Sequence, residues 1–541
     1  MNQKSTHVET LEPRQLLAAY PISVGSTTYD SAFEITKLAN DGVLVAGLLK
    51  GTIDLDPSAN RSLLTARGDT DIYVARYSEA GGLVWARRFG GVEGDFQDGR
   101  DVDTPTDPSR AGPFDLGVGL QTNDLGEYVT AVATDANENF YIAGSFRGSV
   151  DFDPSSRDAI LNSYGGKEFI DIFLLKLDID GNFVFVKQIG GDFTDVAQGM
   201  VVTGNQIHLT GYYTRLADFD PGAAKVTLST NDRSRENAFV AKYNTNGVLA
   251  WTKDIANNDI NRARRNTGNS IAVDSQGNSY IAGSFSGQTD FDPSSAQVLV
   301  KAVKETDAFV LKLNSAGGFA FVKTFGGEGY DGAQEIALSP QGGLYVASYF
   351  EEIVDSDPNP NVVRNIYATP EEIGETADRS DIVISKFNSI DGSVSWAKSV
   401  GSEGWETIGG LAVNPSNGAV FLSGGFYGSA DFNPGRGRAV LTSTLGAEDF
   451  EDPNDGDRDN SYDAFLWKLD SNGNYVFAVR FGAQSDDYGT ALSVDPANGN
   501  LALAGQFRGS IRLPPSSAKL RPIGIQDSFI SLYNSLGDLL T

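Results

Sequence analysis

A short pattern that recurs seven times along the chain constrains its fold more than any other feature. It opens with Asp or Asn, continues through small and apolar residues, and starts at Asp71, Asp171, Asn237, Asp307, Asp381, Asp463 and Asp527. A basic residue follows five positions later in six copies, as Arg76, Lys176, Lys242, Lys312, Lys386 and Lys468, and the seventh copy has Leu532 there. The spacings run from 64 to 100 residues. Self-similarity on this scale signals a repeat architecture and overrides the usual prior of roughly 150 residues per domain.

Three further signals keep a fixed order around this one. An apolar strand ends in a turn, as in Ile271-Ala-Val-Asp274 followed by Gly277-Asn278. An aromatic-rich strand follows, Tyr280-Ile-Ala-Gly283-Ser-Phe285. After the counted pattern comes Phe319-Ala-Phe321-Val-Lys323-Thr-Phe325-Gly326-Gly327. Each has strand length with interleaved apolar and polar residues, and the joints carry Asn, Asp and Gly, which suit tight turns. The last signal occurs after its own copy only six times, at Trp85, Phe185, Trp251, Phe321, Trp396 and Phe477. The missing copy is expected at the other end, where Tyr20-Pro-Ile-Ser-Val-Gly-Ser26 shares Ser-Val-Gly-Ser with Trp396-Ala-Lys-Ser-Val-Gly-Ser402. Pro21 suits an outer edge strand.

These observations predict an all-β fold: a seven-bladed β-propeller of four-stranded antiparallel blades, the ring closed by the N-terminal strand completing the last blade. Closure removes the open edges that invite aggregation. The expected organisation is a tail over residues 1–18 and a single propeller over 19–541, with inserts near 96–127 and 447–463. The Ile-Ala-Val-Asp strand with its Gly-Asn turn, Tyr-Ile-Ala-Gly, Asp-Ala-Phe-Val-x-Lys-Leu and the terminal Phe-Gly-Gly resemble the bacterial seven-bladed β-propeller repeat family, SBBP, over about residues 19–541. That resemblance implies the fold and no particular activity. Leu11-Glu-Pro-Arg-Gln-Leu-Leu17 is similar to the LEPR-x-L-L element of large surface-type bacterial proteins, which implies export or envelope association.

Composition narrows the chemistry. The net charge of −29 repels nucleic acid and anionic membrane surfaces and suits cations. With no cysteine, disulfides, thiolate nucleophiles and Cys-ligated zinc are excluded, and His7 and His208 are the only histidines. No apolar run of about 18 residues is present, so no membrane-inserted helix is expected, and the N-terminus lacks the apolar stretch of a signal peptide.

The sharpest candidate for chemistry is Asp-x-Asp-Pro after the second strand. The pairs are Asp54 and Asp56, Asp151 and Asp153, Asp218 and Asp220, Asp290 and Asp292, Asp355 and Asp357, and Asp431 with Asn433. The seventh copy reads Arg512-Leu-Pro514-Pro515. Two carboxylates on one turn are candidate ligands for calcium, which takes six to eight oxygens. The alternative, which the balance favours, is that these Asp side chains cap the turn backbone while Pro fixes φ. Asp452-Pro-Asn-Asp-Gly-Asp-Arg-Asp459 resembles a calcium loop lacking one residue and reads better as a solvated acidic loop. His208 aligns with Tyr141, Tyr280 and Tyr345 and reads as a packing ring. The strand bases read as stems packed on the sheet with solvated heads. The strand aromatics, Trp85, Trp251 and Trp396 among them, read as inter-blade packing ahead of sugar stacking. Gly90-Gly91, Gly190-Gly191 and Gly326-Gly327 lack a following helix and read as turn glycines, not phosphate loops.

No catalytic residue emerges. The expected role is an extracellular or cell-surface, non-enzymatic binding or scaffold module that presents loops to a protein or carbohydrate ligand. It is expected to be monomeric, with no cofactor other than candidate calcium. The alternatives are a polysaccharide hydrolase or lyase using loop carboxylates and a calcium-stabilised spacer domain.

Overall fold

The computed structural model describes residues 20–38, 42–58, 60–91, 126–230, 235–259, 264–357, 365–368, 380–402, 404–444, 461–482, 485–513 and 519–540. His7, the element at 11–17, most of both inserts, Pro358, Pro514 and the stretch Asp452–Asp459 lie outside these residues. All regular structure among the described residues is β, with no helix, and the chain is a β-propeller.

The repeat folds as an antiparallel meander whose strands are here called a to d in chain order. In the central copy these are Arg264–Val273, Ser279–Phe285, Asp307–Leu313 and Phe319–Phe325. Ile281 sits opposite Ile271 on one side and Leu311 on the other. The c strands Asp171–Leu177, Asp307–Leu313, Asp463–Leu469 and Asp527–Tyr533 open on the counted Asp, and in Leu63–Tyr77, Arg235–Asn244 and Ser380–Asn388 the counted Asp or Asn lies within the strand. The sheet of Asp527–Tyr533 takes its d strand from the opposite end of the chain: Ile22–Val24 pairs with it, Ile22 opposite Ile530 and Val24 opposite Ser528.

The b strands explain why the sheets stack. Phe140–Phe146, Ser279–Phe285, Val420–Phe426 and Leu501–Phe507 are buried at every residue. A strand buried on both faces needs a neighbouring sheet on each side, and runs of apolar and small residues meet that need. The core therefore lies between sheets: Trp85 and Phe89 pack with Phe140, Ile142 and Phe173 of the next meander. Tyr20, Ile22 and Val24 share one core with Ile35 and Tyr73 of the first sheet and Ala504 and Ile530 of the last.

Candidate functional site: corner loops and sheet seams

In each corner loop the residue between the two acids points inward. Leu55, Phe152, Phe219, Phe291 and Phe432 are fully buried, as is Leu513 in the last copy. The acids then face their own backbone. Asp290 Oδ1 accepts the N–H of Asp292 at 3.1 Å and of Val298 at 2.9 Å, and Asp292 Oδ1 accepts that of Ser294 at 2.9 Å. The same bonds recur from Asp54 and Asp56, Asp151 and Asp153, Asp218 and Asp220, and Asp431 and Asn433. Asp355 accepts the N–H of Asp357 at 3.1 Å. Among the described residues no group of three or more His, Cys, Asp or Glu is arranged to hold a metal ion. Asn433 makes the same turn bond as the second Asp of other copies, so this position uses an acceptor and not a charge. Asp292→Asn is accordingly expected to shift the thermal midpoint by no more than about 1 °C with or without calcium, whereas Asp290→Ala, which strands two N–H groups, removes roughly 2 kcal/mol. Paired melting curves check both.

The strand bases do more than pack. Lys176, Lys312 and Lys386 lie over the rings of Tyr141, Tyr280 and Tyr345 at 4.9, 4.8 and 5.2 Å. Their ammonium groups are not left in solvent as the sequence suggested. They donate to carbonyls in the c–d turn of the next sheet: Lys176 to Thr245 at 3.2 Å, Lys312 to Ser389 at 2.8 Å and Lys386 to Ser471 at 2.8 Å. Lys242 reaches Ser315 and Arg76 reaches Ile179 likewise. A four-carbon stem on an aromatic face ends one sheet away, so each base clamps two sheets. The d-strand tryptophans aim at the same carbonyls, Trp85 at Ile179, Trp251 at Ser315 and Trp396 at Ser471. Glycines of those turns cover the indoles: a Cβ on Gly317 or Gly473 would come within 3.1 or 2.9 Å of Trp251 or Trp396. His208 is fully buried, bonded through Nδ1 to Ser279 Oγ at 2.9 Å, and burial with nearby Lys242 lowers its pKa to about 4. It fills the ring position beside Lys242, its cross-strand partner.

The seams between sheets also hold carboxylates, which single residues in the sequence do not reveal. The opening Asp of the c strand is buried in every copy that has it. It accepts backbone N–H groups from the loop before it, as Asp71 does from Arg67 at 3.0 Å and Asp527 from Ile523 at 2.8 Å. The first glycine after strand d lies under this carboxylate: a Cβ on Gly90, Gly401 or Gly482 would stand 2.1, 1.9 or 2.1 Å from it. The second glycine meets the outer hairpin that follows strand b of the next sheet, Leu216–Asp218 with Thr227–Ser229 or Ile353–Asp355 with Asn365–Tyr367, where a Cβ on Gly191 or Gly327 would strike the carbonyl of Leu216 or Ile353. The paired glycines are thus close-approach positions at a seam, which refines their reading as turn residues. A second acid opens most a strands, and Asp30, Asp195, Asp331, Glu406 and Asp487 are all buried.

Taken together these groups build joints between neighbouring sheets. Among proteins of known sequence, an uncharacterized WD repeat-containing protein, L264, of Acanthamoeba polyphaga mimivirus is 29% identical over 248 residues, which is 40% of this chain and 18% of that protein. The chain therefore spans less than a fifth of that relative. Among solved structures, the Cps50 (Swd1) β-propeller domain of Myceliophteria thermophila aligns over 94% of this chain and 98% of its own, at 8% identity and a TM-score of 0.39. The quinohemoprotein alcohol dehydrogenase of Comamonas testosteroni aligns over 95% and 77%, at 10% identity and a TM-score of 0.36. Residues 260–291, which cover the a and b strands of the central sheet and end at the start of its corner loop, match the beta-propeller repeat family SBBP.

Proposed function

We propose that the meanders are the seven blades of one ring, closed by Ile22–Val24, and that the ring is a non-enzymatic binding or scaffold module working outside the cell or on its surface. The pairing of that strand with Asp527–Tyr533 and the core shared by the first and last sheets support closure. The observation that carries the non-enzymatic reading is repetition. The corner acids occur at equivalent positions of successive blades and spend their oxygens on turn N–H groups, whereas an active centre is singular. The net charge of −29 favours cationic or neutral partners over nucleic acid. Specificity is assigned to the inserts, since a rigid scaffold that carries variable loops is a common way to build a binding face. The corner loops need no calcium in this reading.

The test is calorimetric titration of the full chain with purified cell-wall polysaccharide and with envelope protein fractions, beside a variant whose 96–125 and 447–460 segments are replaced by short linkers. Binding without consumption of the ligand, lost in the variant, is the expected result. Turnover of polysaccharide that disappears on substitution of one loop Asp or Glu would replace this proposal with the hydrolase or lyase reading.

A further inference from the structure

We infer that four seams of the propeller are held by a proton shared between two buried carboxyl groups, one opening the c strand of a sheet and the other opening the a strand of the next. The pairs are Asp171 with Asp195, Asp307 with Asp331, Asp381 with Glu406, and Asp527 with Asp30.

The geometry is clearest at the first pair. Both side chains are fully buried. Asp195 accepts the N–H groups of Gly191 at 2.7 Å and Thr214 at 3.2 Å. Asp171 Oδ2 accepts the N–H of Tyr164 at 2.8 Å and the Gln188 amide at 2.5 Å. Asp171 Oδ1 is buried with no partner. It lies 2.7 Å from where a Cβ of Gly190 would be, and Asp195 Oδ2 lies 2.8 Å from the same point, so the two oxygens are within about 5.5 Å. The titratable groups facing this pair are Asp192, Tyr164, Tyr212 and Tyr213, none of them basic. Glu351 and Tyr349 face Asp331, and Tyr73 faces Asp30. Glu406 shares a hydrogen bond with Asp381. Two charged carboxylates cannot both persist in such surroundings, and one proton per pair removes the conflict. Burial, with Asp192 adding to it, holds Asp171 at about 7, and burial with Asp171 nearby pushes Asp195 well above the carboxylate range; burial with Asp527 holds Asp30 at about 7, burial with Asp307 holds Asp331 at about 8, and burial holds Asp307 and Asp527 at about 6.

The other seams solve the same problem differently, which argues that it is real. Asp71 and Asp463 are each bonded by an arginine of the d strand, Arg88 and Arg480. The seam between the Asn237 and Asp307 sheets has amides in both places. Asn257 donates its N–H to Asn237 Oδ1 and its Nδ2 to Asn266 Oδ1, and Asn266 Nδ2 donates to the Ile255 carbonyl. Amide hydrogens there supply what a proton supplies elsewhere.

The consequence is a pH-dependent joint. A carboxyl whose folded pKa is raised stabilises the fold fully below its unfolded pKa of about 4, and that contribution is lost as pH rises through the folded value. The thermal midpoint of the full chain in chelator is therefore expected to fall by about 5 °C or more between about pH 5.5 and pH 8.5. His208 does not titrate in that window. An infrared C=O band of protonated carboxyl should persist in the wild-type protein at about pH 7. Asp171→Asn with Asp195→Asn copies the amide seam, and should lessen both the band and the pH dependence. A flat midpoint in the wild-type protein, absence of the band, or recovery of the midpoint at high pH on adding calcium would each overturn the inference, the last by placing a cation where we place a proton.

Discussion

Removal of residues 1–26 is expected to lower the thermal midpoint by on the order of 10 °C, whereas removal of residues 1–17 leaves it unchanged. The larger deletion strips the d strand from the last sheet. Tyr20, Ile22 and Val24 are buried to within 3% or less of exposure, and each such side chain contributes about 2 kcal/mol. Lost ladder bonds to Asp527–Tyr533 add about 1 kcal/mol each. The sum is on the order of 10 kcal/mol, against an unfolding entropy of about 1 kcal/mol per degree for a chain of this length. Tyr20 matters for a second reason. The last sheet has Leu532 where others have Lys or Arg, so it lacks the basic clamp. The hydroxyl of Tyr20 bonds the Ser78 carbonyl at 3.2 Å, in the c–d turn of the first sheet, much as the equivalent Trp396 reaches Ser471. The deletion also bares Asp527–Tyr533 as an open edge, which should add concentration-dependent aggregation on heating. Equal midpoints for both truncations and the full chain, by scanning calorimetry, would remove the basis for ring closure.

The strand signals were legible in the sequence because each is written several times. Ile281 and Val310 are readable as strand residues from alternation and from their copies, and the Ser-Val-Gly-Ser match at 23–26 points to the pairing now seen with Asp527–Tyr533. The seams were much less legible. Asp171 and Asp195 lie 24 positions apart on different sheets, and nothing local to either marks the other. Lys312 looks like an ordinary exposed base until the Ser389 carbonyl, 77 residues on, is brought above it. A signal was available: an acid stands near the head of most a strands, and Gly follows most d strands. The sheet where Asn237 replaces Asp is also the one where Ala256 replaces that Gly. Such coincident changes at distant positions are the sequence trace of a packed pair. The corner acids, by contrast, bond N–H groups two and eight residues on, so their contacts lie within the motif that the sequence displays.

Arg88→Met is expected to convert an arginine-held seam into a proton-dependent one. Asp71 is fully buried, and the Arg88 side chain that bonds it is only 16% exposed. Besides that bond, Asp71 accepts the N–H of Arg67, and Gly90 lies beneath it. Burial raises the Asp71 carboxyl even with arginine in place. Removing one partner of a buried pair leaves the other charge uncompensated, a loss of about 3 kcal/mol. That loss holds only while Asp71 is ionised. Without the guanidinium its folded pKa climbs further above the unfolded value of about 4, so protonation at lower pH relieves the strain and the variant regains stability. The midpoint of the variant should lie about 3 °C below wild type at about pH 8 and less than half as far below at about pH 5. Arg512→Met, which removes an exposed arginine of the outer hairpin, should shift neither midpoint. A deficit in Arg88→Met that is the same at both pH values would mean that the arginine acts through packing alone, and the division of the seams into arginine, amide and proton types would lose its electrostatic meaning.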